Sequence, residues 1–329
     1  MRTIKRILVA IRTPGQRGVP AAVVKAGQIA QKGGATVELF HALTTSVYVD
    51  LVAMQNKSVT AYREQERDEC QQRLEKMSAR LRKSGVDVST TVTADFPAYE
   101  AIIRHARNTG ADLIIADCHR SSHKFASLMR LTDWELLRHS PVPVLLVKSA
   151  RRYHRPVLLA AVDPSHAFAK PGQLDDSILD AGEELRHLLG GMLHAVHAYS
   201  PLPADVRPAQ LRNRGINVDL QALAANNARK QLDKAVAGHE ISKSRAHLYA
   251  GLPQDALRSM QKKLHAQIVI MGAVSRTGLK RLFIGNTAEQ VLDVLPCDIL
   301  IVKSRRFATE VQRASRGTRF RVATGPAFV

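Results

Sequence analysis

Short runs of apolar residues, dense in Val, Ile and Leu, recur along the chain at 5–12, 35–43, 86–94, 111–117 and 142–148, and again near 156–163, 191–199, 244–250, 266–273 and 297–303. Runs of this length without strict alternation fit strands buried on both faces. Between those of the first half lie stretches with helical character at about 20–32, 58–84, 97–109 and 131–139. Their punctuation agrees: Pro20 and Pro97 sit near first turns, Gly33, Gly85 and Gly110 close C-termini, and Pro141 blocks continuation into the next strand. Strictly alternating βα units predict a mostly parallel, doubly wound sheet covered by helices on both faces.

The pattern is also repeated. Displaced by 155 residues, ADLIIAD at 111–117 falls on AQIVIMG at 266–272 and, without a gap, VPVLLVKSA at 142–150 falls on CDILIVKSR at 297–305. An offset of 151 brings RILVAIR at 6–12 onto VLLAAVD at 157–163. Two Rossmann-like domains in tandem follow, residues 1–150 and 151–303, joined by the short basic stretch SARRYHRP, with residues 304–329 expected as a basic, flexible arm without clear periodicity. A linker this short predicts that the two halves pack together, with the last strands VPVLLVK and CDILIVK as the pairing edges.

Composition narrows the class. An apolar share of 45% over 329 residues supports two buried cores. No apolar stretch approaches the roughly 20 residues that span a bilayer, the opening segment lacks the pattern of a cleaved signal, and Cys70, Cys118 and Cys297 form neither a disulfide framework nor a CxxC pair. A cytoplasmic location is expected, with no membrane partner. The formal charge is +19, and its distribution matters: Lys/Arg against Asp/Glu stand at 22 to 14 in residues 1–150, 20 to 14 in 151–303, and 6 to 1 in 304–329. The arm is the most basic part, and polyanion binding through it is one reading of the chain. Only Phe307 and Phe320 offer it aromatic stacking, so specific nucleic-acid recognition is not supported.

In an open α/β sheet ligands bind beyond the carboxyl ends of the strands, where the strand order reverses. In the second half that directs attention to AAVDPSHAF at 160–168 and IMGAVSRTGLKRLFIGNTAEQ at 270–290. The latter sets Gly272 at a strand end and Gly285-Asn286-Thr287 at the start of a helix, a pattern suited to phosphate oxygens. Lys280, Arg276 and Arg281 add positive charge. The spacing resembles the nucleotide motif G-x2-G-x9-G-[ST] of the universal stress protein family. Gly272 and Gly285 match its outer glycines, Ser275 stands for the middle one and Asn286 for the Ser/Thr, and the R-T-G and G-N-T-A-E-Q wording looks most like the tandem-domain E-type members. The resemblance covers about residues 4–303. It implies a universal stress protein-type fold and an ATP or related adenine nucleotide, with Mg as a companion ion. In that implied site Asp163 reads the adenine edge, Val162 and Ala198 wall the ring, and Gly272, Ser275, Gly285, Asn286 and Thr287 take the phosphates. It further implies a role in tolerance of stress, DNA-damaging conditions included, without an assigned reaction. Slow ATP hydrolysis at the same loop is the catalytic alternative, although no second acidic residue is evident in the phosphate loop.

The first half departs from the motif. Asp117 stands at the position of Gly272, Arg120 at Ser275, Arg130 at Gly285 and Arg12 at Asp163, so nucleotide binding in the family manner is not expected there. The same loop carries Cys118, His119 and His123, which with Asp117 would supply a zinc ligand set, although the spacing fits no standard finger and solvent-facing polar residues explain it as well.

Overall fold

The computed structural model describes residues 3–12, 18–44, 57–118, 126–166, 173–201, 220–273, 291, 294–305 and 307–315. The chain divides into two compact units: residues 2–152 together with the segment from Thr309 onward, and Tyr153–Ala308.

The first unit holds β1 (Arg6–Ala10), α1 (Ala21–Gly33), β2 (Thr36–Leu43), α2 (Lys57–Lys83), β3 (Val88–Ala94), α3 (Ala98–Thr109), β4 (Leu113–Asp117), α4 (Ala126–His139) and β5 (Val144–Val147). Its strands run in the order β3-β2-β1-β4-β5, and the pairings β1–β2, β1–β4, β2–β3 and β4–β5 are all parallel. The strand order therefore reverses between β1 and β4. Ile7, Leu8, Val9, Leu113, Ile114 and Ile115 are buried, as expected of central strands covered by helices on both faces. The start of β1 is pinned from β4, because the Asp112 carboxylate accepts the backbone N–H groups of Lys5 and Arg6 at 2.9 and 3.0 Å. The helix boundaries shift slightly from expectation. α1 is closed by Gly34 (φ 63°) one residue beyond Gly33, and α4 begins five residues before 131. In both places the propensity of the sequence is ambiguous by a turn, and the closing hydrogen bond, here Gly34 N–H to Ala30 O, decides.

The second unit repeats the plan with β6 (Val157–Ala161), α5 (Leu174–Leu189), β7 (Met192–Tyr199), α6 (Leu220–Val236), β8 (Ala246–Ala250), α7 (Pro253–Leu264), β9 (Ile268–Gly272) and β10 (Asp298–Val302). The order β8-β7-β6-β9-β10 is again parallel throughout, and it reverses between β6 and β9. Where β10 begins, the buried Tyr153 hydroxyl donates to the buried Asp298 carboxylate at 2.6 Å. Burial, and then the neighbouring carboxylate, raise the phenol well above its ordinary pKa.

Composition predicts a flexible arm from 304 onward, yet its opening residues are docked on α3. Arg104 Nε donates to Gln312 O at 2.9 Å, Arg107 donates to Val311 O, Asn108 Nδ2 approaches Arg313 O at 3.4 Å, and the Val311 side chain is buried. The composition of 304–329 is polar enough to suggest disorder. A single apolar residue and three carbonyls matched to donors on α3 fix its first part instead. Residues 316–329 lie outside the described residues. Among the described residues no helix is long and apolar enough to cross a membrane.

Candidate functional site

The candidate site of the second unit lies at the carboxyl ends of β6 and β9, where the strand order reverses. Ala161 pairs with Met271, so Val162 and Gly272 stand level one residue beyond, with Asp163 next. Ala161 also pairs with Val196 on β7, and the Val162 N–H donates to Val196 O at 3.0 Å, which brings Ala198 level with Asp163. Four of the sequence-predicted residues, Val162, Asp163, Ala198 and Gly272, are thus brought together at the carboxyl ends of adjacent strands. Ser275, Gly285, Asn286 and Thr287 lie outside the described residues, as do Arg276, Lys280 and Arg281.

Asp163 is held in place by its surroundings. Its backbone N–H donates to Asp175 Oδ1 on the first turn of α5 at 3.1 Å, and its Oδ1 accepts the Ser165 hydroxyl at 2.7 Å. The ring of His197, fully buried on β7, brings Nδ1 to 3.9 Å from the same oxygen. The Asp163 side chain remains 37% exposed, so its carboxylate is partly open at the strand ends while its backbone is fixed. Such a group accepts hydrogen bonds from a ligand amine.

Gly272 has a second explanation. A Cβ built there would lie 2.7 Å from Leu174 Cδ2 and 2.8 Å from its Cγ, so the glycine makes room for the first residue of α5 to cross the sheet. Close helix-to-strand packing is one of the uses of glycine in doubly wound folds, and it operates here whatever occupies the site.

The first unit is built differently at the same level. Arg12, at the position of Asp163, donates to Asp117 O at 3.3 Å and forms an ion pair with Asp133 on α4 at 2.6 Å. Asp117, at the position of Gly272, accepts the Ala22 N–H at 2.8 Å, one of the unpaired donors of the first turn of α1. The carboxylate that would repel phosphate instead satisfies a helix end, and the arginine ties β4 to α4 across the strand order reversal. These two residues thus take structural contacts at the positions that Asp163 and Gly272 hold in the second unit. The Arg130 side chain and Arg120 lie outside the described residues.

A cavity of about 400 Å3 nevertheless persists beside Arg12, between the end of β2 and α2, and His41, Tyr62, Glu66, Cys70 and Arg73 are among its lining residues. His41 Nδ1 lies 2.7 Å from Ile11 O, and burial lowers its pKa, against the partly opposing effects of that carbonyl and Glu66. Burial likewise raises the Cys70 thiol. His41 and His197 occupy equivalent places, in FHA at 40–42 and VHA at 196–198. Sequence reasoning passed over both. The repeated His-Ala at the end of the second strand of each half was the signal that marked them.

The sequence-predicted metal ligands are not assembled by the described residues. Cys118 is half-buried, is in no disulfide, and its N–H donates to Val147 O at 2.7 Å, while His119 and His123 lie outside the described residues. Asp117 is engaged at α1, as above.

Comparison with known proteins decides the family. The profile of the universal stress protein family matches residues 3–148 and 154–303. The chain belongs to the universal stress protein family. It is 30% identical over 236 residues to universal stress protein E of Escherichia coli K12, covering 70% of this chain and 72% of that one. It is 27% identical over 325 residues to universal stress protein E of Photorhabdus laumondii, covering 95% and 99%. Among solved structures, a functionally unknown protein of Pseudomonas aeruginosa PAO1 superimposes with a TM-score of 0.67 at 26% identity, over 92% of this chain and 93% of that chain. The tandem arrangement of two universal stress protein domains, each with the parallel order described above, is thereby established. Asp163 and Arg12 distinguish the two domains where the family's strand ends meet.

Proposed function

We propose that this universal stress protein binds ATP or a related adenine nucleotide, with Mg as companion ion, in its second domain, and that it acts in the cytoplasm in tolerance of stress, DNA-damaging conditions included. The observation that carries the reading is the contrast in charge at one position: Asp163 presents a part-exposed, backbone-anchored carboxylate at the strand ends, where the first domain has the guanidinium of Arg12 paired with Asp133. In this reading Asp163 accepts the exocyclic amine of adenine and Val162 and Ala198 bound the ring. Ser275, Gly285, Asn286 and Thr287 provide the phosphate donors, next to Gly272. The activity is binding, and the nucleotide state is what a partner would sense.

Calorimetric titration of ATP tests it. A hydrogen bond to a charged group contributes about 1.5–3 kcal/mol, so Asp163→Ala is expected to weaken binding by about tenfold or more. Gly285→Arg, which introduces the residue type of the first domain, should abolish it. Arg12→Ala should leave it unchanged. Equal affinities for wild type and Asp163→Ala, or no binding by the wild type, would overturn the assignment.

A further inference from the structure

A second cluster of polar side chains lies in the second domain on α5 and the turn that follows α6. Asp180 and Glu183 are three residues apart on α5 and so share a face, and His239 is carried to them by the turn after Val236. One ligand atom from each lies within 4.8 Å of the others. We propose that Asp180, Glu183 and His239 form a binding site for a divalent transition-metal ion of the Zn2+ class.

Three observations support this. First, the His239 side chain is only 10% exposed and its Nδ1 is buried without a hydrogen-bond partner, yet it points at Glu183 Oε2 from 3.3 Å. A buried ring nitrogen left without a partner costs free energy that a bound ion would offset. Second, that 3.3 Å separation matches the edge of a tetrahedron, about 3.3–3.6 Å, whose centre is the usual Zn–N and Zn–O distance of about 2.0–2.2 Å from each corner. Third, two of the three ligands are already anchored. The His239 N–H donates to Val236 O and its carbonyl accepts from Ile241, while Glu183 Oε1 accepts the Glu240 N–H at 2.6 Å, leaving Oε2 toward the histidine.

The third ligand is engaged elsewhere. Asp180 Oδ2 accepts from Arg305 Nη2 at 3.0 Å, an arginine whose side chain is 67% exposed. Binding the ion requires Asp180 to turn from Arg305 toward Glu183, exchanging a solvated guanidinium for a divalent cation. A mixed imidazole and carboxylate set suits Zn2+ better than Mg2+, which prefers oxygen ligands. Three protein ligands leave one position of a tetrahedral ion to water. The site shares no ligand with the nucleotide site proposed beside Asp163 and makes no use of nucleotide.

The test is titration of Zn2+ into the full chain, prepared without a histidine tag and stripped with a chelator, in competition with a chromogenic indicator. Wild type should bind one equivalent, and that equivalent should weaken by about tenfold or more in His239→Ala and Asp180→Asn. It should persist in Cys70→Ser and Cys118→Ser, which excludes thiol binding, and it should tighten in Arg305→Ala. Absence of a stoichiometric equivalent in the wild type would overturn the proposal. So would undiminished binding by either ligand variant with an unchanged far-ultraviolet spectrum.

Discussion

Arg104→Met should destabilise the first domain by about 3–5 kcal/mol, the range observed when one partner of a buried ion pair is removed. The Arg104 side chain is 4% exposed and donates through all three of its nitrogens: Nη1 to Asp95, Nη2 to Glu100 at 3.2 Å, and Nε to Gln312 O. Both carboxylates are equally buried, so the methionine variant would leave two negative charges inside the protein. Trp134 on α4 is the single tryptophan of the chain, so its fluorescence during denaturation follows this domain selectively. Replacing the set together, as Asp95→Asn, Glu100→Gln and Arg104→Met, should recover most of the loss, because neutral amides remove the stranded charge. If Arg104→Met shifted the transition by less than about 1 kcal/mol, the range of exposed pairs, the triad would be a surface feature. Truncation after Ala308 should produce a smaller loss in the same fluorescence signal, since it removes the Gln312 and Val311 contacts and leaves the two carboxylates paired.

The second large effect is a dependence on pH in the other domain. Lys303 follows β10, is buried, and lies over the Phe307 ring at 4.8 Å; burial lowers its pKa from 10.5 to about 8. Below pH 8 the ammonium is charged in the folded and unfolded states alike, and the folded state bears the full desolvation cost. Between pH 8 and 10.5 the folded amine is neutral while the unfolded chain still binds a proton. Stability therefore rises with pH across that window, by on the order of 3 kcal/mol at one pKa unit per 1.36 kcal/mol. The rise should be read below pH 10, where unfolded tyrosines begin to ionise and the raised Tyr153 phenol opposes it. Urea unfolding followed by circular dichroism at pH 7.5 and 9.5 measures the effect. Lys303→Met should remove the slope and stabilise the domain at pH 7.5; a slope retained in that variant would assign it to another group.

Local patterning carried most of the architecture. Ten apolar runs became ten strands, because parallel strands buried on both faces have no polar alternation to confuse the reading. The divergence of the two halves was legible too, since Arg12 and Asp117 fall on Asp163 and Gly272 by simple displacement. What escaped were contacts between residues far apart in sequence. Nothing in GAVSRTG says that Leu174 crosses over Gly272, and the burial of Val311 depends on Arg104 and Arg107, about 200 positions earlier. His239 gave no motif because its partners lie on another helix. Charge composition pointed to a loose arm from 304, and composition averages over the few residues that dock.

The docking of residues 309–313 on α3 bears on how the polypeptide matures. In linear order the second domain, Tyr153–Ala308, is an insertion within the first. A chain made from its N-terminus presents the ribosome's exit with a first domain whose clasp has not been synthesised, followed by a second domain that is whole. The element begun first is therefore finished last, and until Gln312 emerges, Arg104 holds its two carboxylates without the carbonyl that completes its shell.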